Sequence, residues 1–228
     1  MARPKIWLSW SSGKDSAWTL HKLRSSGEFE VTGLLTTINR DANRVAMHAV
    51  REELLEKQAQ AVGAPLIKVF IPAQCSNVVY EEAMAKAIAE ARTANVLHMA
   101  FGDLFLEDIR RYREEKLNAA GMTPVFPIWG SPAATSSLAR EMVAAGLRAY
   151  LTCIDPRKLE GRFAGRVFDG ELLDELPASV DPCGENGEFH SFAFAGPMFA
   201  KPLEVQAGQI LERDGFVFAD VLSAQPLS

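Results

Sequence analysis

Strand-type and helix-type stretches take turns along most of this chain, and that alternation limits the fold more than any single motif. Apolar, β-rich runs cover residues 6–10, 31–37, 66–71, 96–101, 123–128 and 149–154. Between them lie residues 16–25, 47–62, 77–93, 106–120 and 135–145, rich in Ala, Leu, Glu, Lys and Arg at i, i+3, i+4 spacing. Strands joined through helices pair in parallel, because a parallel neighbour needs a crossover long enough to bring the chain back. The expected class is therefore α/β, a doubly wound parallel sheet, with ligands bound beyond the carboxyl ends of the strands.

The rhythm breaks after Ile154. The segment DPRKLEGRFAGRVFDGELLDELP is irregular and glycine-bearing, and it leads through DPCGENGEFHSFAFAGPMF into short alternating runs such as FVFADVL. That pattern predicts a smaller C-terminal α+β region. A boundary near Gly130 separates residues 1–130 from residues 131–228, with no long linker, so the two parts are expected to share a cleft.

Composition narrows the function classes. With 48% hydrophobic and 23% charged residues in 228, the chain has the make-up of a globular protein and not of a disordered one. A net charge of −5 argues against a long nucleic-acid footprint, which shows as a basic excess. No apolar run approaches the roughly 20 residues that span a bilayer, and the start MARPKIWLSW lacks a secretory h-region, so no membrane role is expected. Cys75, Cys153 and Cys183 are far apart and form no CxxC, which points to a reduced, cytoplasmic setting rather than to disulfides or zinc.

Two short stretches carry chemistry. The first, WLSWSSGKDSAWTL, runs from a strand pattern into a helix pattern through Ser11, Ser12, Gly13, Lys14, Asp15 and Ser16. Small residues at a helix N-terminus let backbone N–H groups meet an anion, the helix dipole adds to the attraction, and Lys14 adds a full charge. It is not a P-loop, because Asp15 stands where that motif needs Ser or Thr, and Leu8 where it needs glycine. A plain N-cap by Asp15 or Ser16 is the alternative. The second stretch, CGENGEFHS, packs Glu185, Glu188 and His190 into one turn, where close carboxylates cost energy unless a positive group sits between them. Asn186-Gly187 is equally a hairpin-turn dipeptide.

The first stretch resembles the SGGxDS signature of the PP-loop ATP pyrophosphatase superfamily, with Ser12 at the usual first glycine. The order SSGKDS, FGDLFLEDIRRYRE, PIWG, CGENGEFHSFAFAGPMF resembles the diphthine–ammonia ligase family within it, over nearly the whole chain. The resemblance implies an adenine nucleotide alpha hydrolase-like sheet and ATP cleaved between its α- and β-phosphates. It implies an AMP-forming C–N ligase in which ATP activates a carboxylate or amide oxygen, and ammonia or an amine displaces AMP. By the same analogy Ser9 and residues 11–16 hold the phosphates, Thr36, Thr37 and Ile38 contact adenine, and Gly102 and Asp103 lie nearby. Lys14, Asp15, Glu185 and Glu188 would be catalytic, Gly184, Glu185, Glu188 and His190 would face the acceptor, and Asp103 would ligate Mg²⁺. Relatives acting on diphthine read closer to SGGKDS and GEGGEYET, so the ATP chemistry carries over more firmly than the acceptor. A tRNA-modifying PP-loop enzyme and a nucleotide-binding sensor of the universal-stress type share parts of the pattern, and a homodimer is compatible with it. The basic residues Arg110, Arg111, Arg113 and Lys116 read as a solvated helix face.

Overall fold

The computed structural model describes residues 2–39, 44–45, 50–72 and 75–224. The elements follow in the order β1 (Lys5–Ser9), α1 (Lys14–Ser26), β2 (Glu30–Asn39), β3 (Arg44–Val45), α2 (Glu52–Val62), β4 (Leu66–Ile71), α3 (Asn77–Thr93), β5 (Val96–Ala100), α4 (Glu107–Ala119) and β6 (Thr123–Val125). Then come α5 (Thr135–Ala144), β7 (Arg148–Ile154), α6 (Gly170–Glu175), β8 (Phe189–Ala195), β9 (Val205–Arg213) and β10 (Phe216–Ser223). The expected helix over 47–62 begins only at Glu52, and residues 46–49, with His48, lie outside the described residues.

Five parallel strands run in the order β4-β2-β1-β5-β6, with the two-residue β3 antiparallel to the far end of β2. Period-2 alternation gives this sheet two apolar faces. Ile6 and Leu8 of β1 join a core with Trp18 of α1 and Leu54 of α2, whereas Trp7 joins the opposite core with Ala87 of α3 and Leu117 of α4. Helices before β4 therefore cover one face and α3 and α4 the other, which is the doubly wound arrangement. The winding reverses between β1 and β5, and there the crevice at the carboxyl ends of the strands opens.

The sixth apolar run does form a strand, but not in this sheet. β7 pairs antiparallel with β8 and β10 in a second sheet ordered β8-β7-β10-β9. The parallel sheet stops at β6, three residues long and carrying Pro124, which has no N–H to offer and suits an edge. The second sheet packs on the α1–α2 side of the first. Leu151 of β7 and Phe192 of β8 belong to the same buried core as Leu8 and Trp18. Among the described residues no helix is long and apolar enough to cross a membrane.

Candidate active site

The turn after β1 and the turn after β5 meet at the point where the winding reverses, and the CGENGEFHS turn closes over both. Together they enclose a cavity of about 290 Å³, lined by residues of all three segments. Ser9, Ser11, Gly13, Lys14, Asp15 and Ser16 line it from the first, Gly102 and Asp103 from the second, and Gly184, Glu185 and His190 from the third.

Backbone geometry explains the small residues. Ser12 has φ +70°, a left-handed conformation that costs an L-residue about 1–2 kcal/mol and that glycine adopts freely. Gly13 precedes the first turn of α1, and a Cβ there would sit 3.2 Å from the Ser191 carbonyl oxygen. Gly102 admits the closest approach: a Cβ on it would lie 3.0 Å from the Asp15 carbonyl carbon and 3.1 Å from the Ser16 nitrogen. The end of β5 thus touches the backbone of the loop directly.

A buried amide fixes the loop to both sheets. Gln58 of α2 is fully buried, accepts from Trp10 Nε1 at 3.1 Å, and donates through Nε2 to the carbonyls of Ser12 at 3.0 Å and Ala193 at 2.6 Å. Ala193 N in turn donates to the Ser12 carbonyl at 2.9 Å, and Lys14 N donates to Ser191 Oγ at 3.2 Å. The loop is therefore built from distant parts of the chain.

Lys14 joins the two motifs. Its ammonium is buried, donates to Asp15 Oδ2 at 2.8 Å and to the carbonyl of Cys183, and lies 5.2 Å from the Phe189 ring centroid. Burial, the largest influence, would lower its pKa, but Asp15, Cys183 and Glu185 together outweigh it and leave it raised, hence charged. Glu185 accepts from Leu104 N at 2.8 Å through Oε1, and burial, helped by Asp15 and Asp103, pushes its pKa up to about 7. Burial and then Lys14 push the His190 imidazole down, which favours its neutral form. Burial raises the Cys183 thiol far above neutrality, so it has no thiolate character with which to act as a nucleophile.

Several expected site residues lie elsewhere. Glu188 is buried under the turn and does not line the cavity: its Oε1 accepts from Asp181 N at 3.0 Å and Asn186 Nδ2 at 3.2 Å. Thr36 spends its hydroxyl on the Trp10 carbonyl, Ile38 is in the core, and neither they nor Thr37 reach the cavity. Asp103 does not fit a resident metal, because Arg113 donates to both its carboxylate oxygens, through Nη2 at 3.0 Å to Oδ1 and through Nε to Oδ2. Among the described residues no three acidic, His or Cys side chains gather to hold an ion. Sequence reasoning missed Gln58, Ser191 and Arg113. For Ser191 a signal existed, the hydroxyl residue that ends the second motif.

The sequence pattern of the diphthamide synthase N-terminal domain matches residues 5–124, and that of the diphthamide synthase C-terminal domain matches residues 134–221. The chain belongs to the diphthamide synthase family. It is similar to the diphthine--ammonia ligases of Rattus norvegicus and Mus musculus, each 23% identical over 235 residues that cover 92% of this chain and 86% of the relative. In this member of the diphthamide synthase family, both matched regions contribute walls to one cavity: the first supplies the turns after β1 and β5, the second the Glu185 turn.

Proposed function

We propose that the protein is an ATP-dependent, AMP-forming ligase of the diphthine–ammonia ligase type, in which residues 1–130 bind ATP and the Glu185 turn, from residues 131–228, faces the reacting end of the acceptor. The observation that carries this reading is the cavity at the winding reversal, where an anion-binding helix start meets the Glu185 turn. The triphosphate lies along Ser11, Gly13 and Ser16, against the backbone N–H groups that open α1 and the Lys14 ammonium. Magnesium enters as part of the substrate, held chiefly by phosphate oxygens and water, which suits a site with few spare carboxylates. A carboxylate or amide oxygen of the acceptor attacks the α-phosphorus and pyrophosphate leaves. Ammonia or an amine then attacks the activated carbon and AMP departs with the bonding electrons. The chain's part is to align the oxygen with the phosphorus and to neutralise charge, which needs no covalent intermediate with the protein.

The named activity of the rat and mouse relatives supports amide formation. The raised pKa of Glu185 supports a group able to exchange a proton with the amine at neutral pH. A nucleotide sensor would have no use for such a group facing the phosphates. The deciding experiment is product analysis of ATP turnover against a panel of carboxylate acceptors. AMP and pyrophosphate in equal amounts are expected, and ADP with inorganic phosphate as sole products would refute the reading.

A further inference from the structure

A second hollow adjoins the cavity. On the opposite face of the parallel sheet, between α3 and α4, lies a groove of about 510 Å³. Met84, Ile88, Met99 and Leu117 line it, with the rings of Tyr80 and Tyr112. The two helices cover that face thinly, since α3 buries only Ala87 and Ala91 and α4 only Leu117. The groove and the cavity share two lining residues, Phe101 and Arg113.

Arg113 forms the partition. Its guanidinium lies 4.3 Å from the Phe101 ring centroid, and its Nε and Nη2 are turned to Asp103. A guanidinium offers five N–H donors in a planar fork, and among the described residues the edge formed by Nη1 and the second Nη2 hydrogen has no partner, which leaves it for another carboxylate. The cavity, at about 290 Å³, sits at the lower edge of the size range for a single small ligand. That volume is too small to take a nucleotide together with the body of an acceptor.

We infer that the groove seats the acceptor: it takes the aromatic or branched aliphatic body of a carboxylic acid, while the open edge of Arg113 holds the carboxylate at the mouth of the phosphate cavity. The acceptor role rests on the ligase reading, but occupancy of the groove does not. Methionine methyl NMR tests it with 3-phenylpropanoate, acetate and the uncharged 3-phenylpropan-1-ol as probes, without ATP. Met84 and Met99 should shift with 3-phenylpropanoate, while Met142 and Met198, buried in the other core, stay put. Arg113→Gln should weaken 3-phenylpropanoate ten-fold or more and leave the alcohol unaffected, and acetate should bind far more weakly than 3-phenylpropanoate. No shift at Met84 and Met99 overturns the inference, as does unchanged affinity in Arg113→Gln. So do groove signals that move with protein concentration alone, which would mean that a second copy of the chain covers the groove. AMP formation with a silent groove refutes the groove alone. ADP as the sole product refutes the ligase reading and leaves the groove signals to stand.

Discussion

Replacing Ser12 by glycine should make the protein more stable and leave nucleotide binding alone. Ser12 sits at φ +70°, where the lack of a Cβ relieves about 1–2 kcal/mol. Its Oγ is enclosed and has no hydrogen-bond partner among the described residues, and an orphaned buried hydroxyl costs about 1–3 kcal/mol more. Against these gains, glycine adds conformational freedom to the unfolded chain, worth about 0.5–1 kcal/mol. The net is about 1 kcal/mol of added stability at the least. For a chain of this length each kcal/mol moves Tm by about 2–4 °C. Scanning calorimetry of Ser12→Gly beside the wild type reads the shift, and titration with ATP reads the site. The hydroxyl does not line the cavity, so ATP affinity should be unchanged. A lower Tm would refute the strain argument, and a loss of ATP affinity would refute the placement of Ser12 behind the loop rather than on it.

Lys14→Ala and Ser16→Ala should each weaken ATP binding ten-fold or more in a direct titration, since charge-assisted contacts are worth about 1.5–3 kcal/mol. Gly102→Ala should also weaken ATP binding, because its Cβ would stand 3.0 Å from the Asp15 carbonyl carbon and make the loop give way; a crystal structure with an unmoved loop would contradict this. Glu188→Ala should cost about 1–3 kcal/mol of stability, by stranding the Asp181 N–H, while Glu185→Gln should spare the fold and lower acceptor-dependent AMP formation. The folded pKa of Glu185 lies above the 4.5 of an unburied glutamate, so the native state holds the extra proton in between. Its contribution to stability is therefore present below pH 4.5 and lost as pH rises to about 7, a slope that Glu185→Gln should remove from a series of melts.

Local pattern carried much of the architecture. The limits of β4 and α3 are legible to the residue, because apolar period and flanking polar residues such as Ser76, which caps α3 through Val79 N, are written beside each other in the chain. β7 is legible as a strand, but its partners are not: the same run suits a parallel or an antiparallel neighbour, and the choice rests on β8 and β10, far along the chain. The site divides in the same way. Glycines and hydroxyls of the loop announce an anion site locally, whereas Gln58 reads as an ordinary polar residue of an amphipathic helix until the fold puts it against Trp10, Ser12 and Ala193. Glu185 and Glu188 look alike in sequence, three residues apart in one turn. The turn between them, with Gly187 at a positive φ, sets one carboxylate on the cavity and the other beneath it.

The common core beneath both sheets bears on how the chain is made. Leu8, Trp18 and Leu54 emerge from the ribosome long before Leu151 and Phe192, the residues that cover them. Until β7 and β8 arrive, the α1–α2 side of the parallel sheet presents bare apolar surface, and Gln58 has no Ala193 carbonyl to receive its amide hydrogen. A nascent chain halted near Gly130 should therefore be a client for chaperones and proteases rather than a free-standing domain, and the loop after β1 should acquire its shape only as the last strands leave the tunnel.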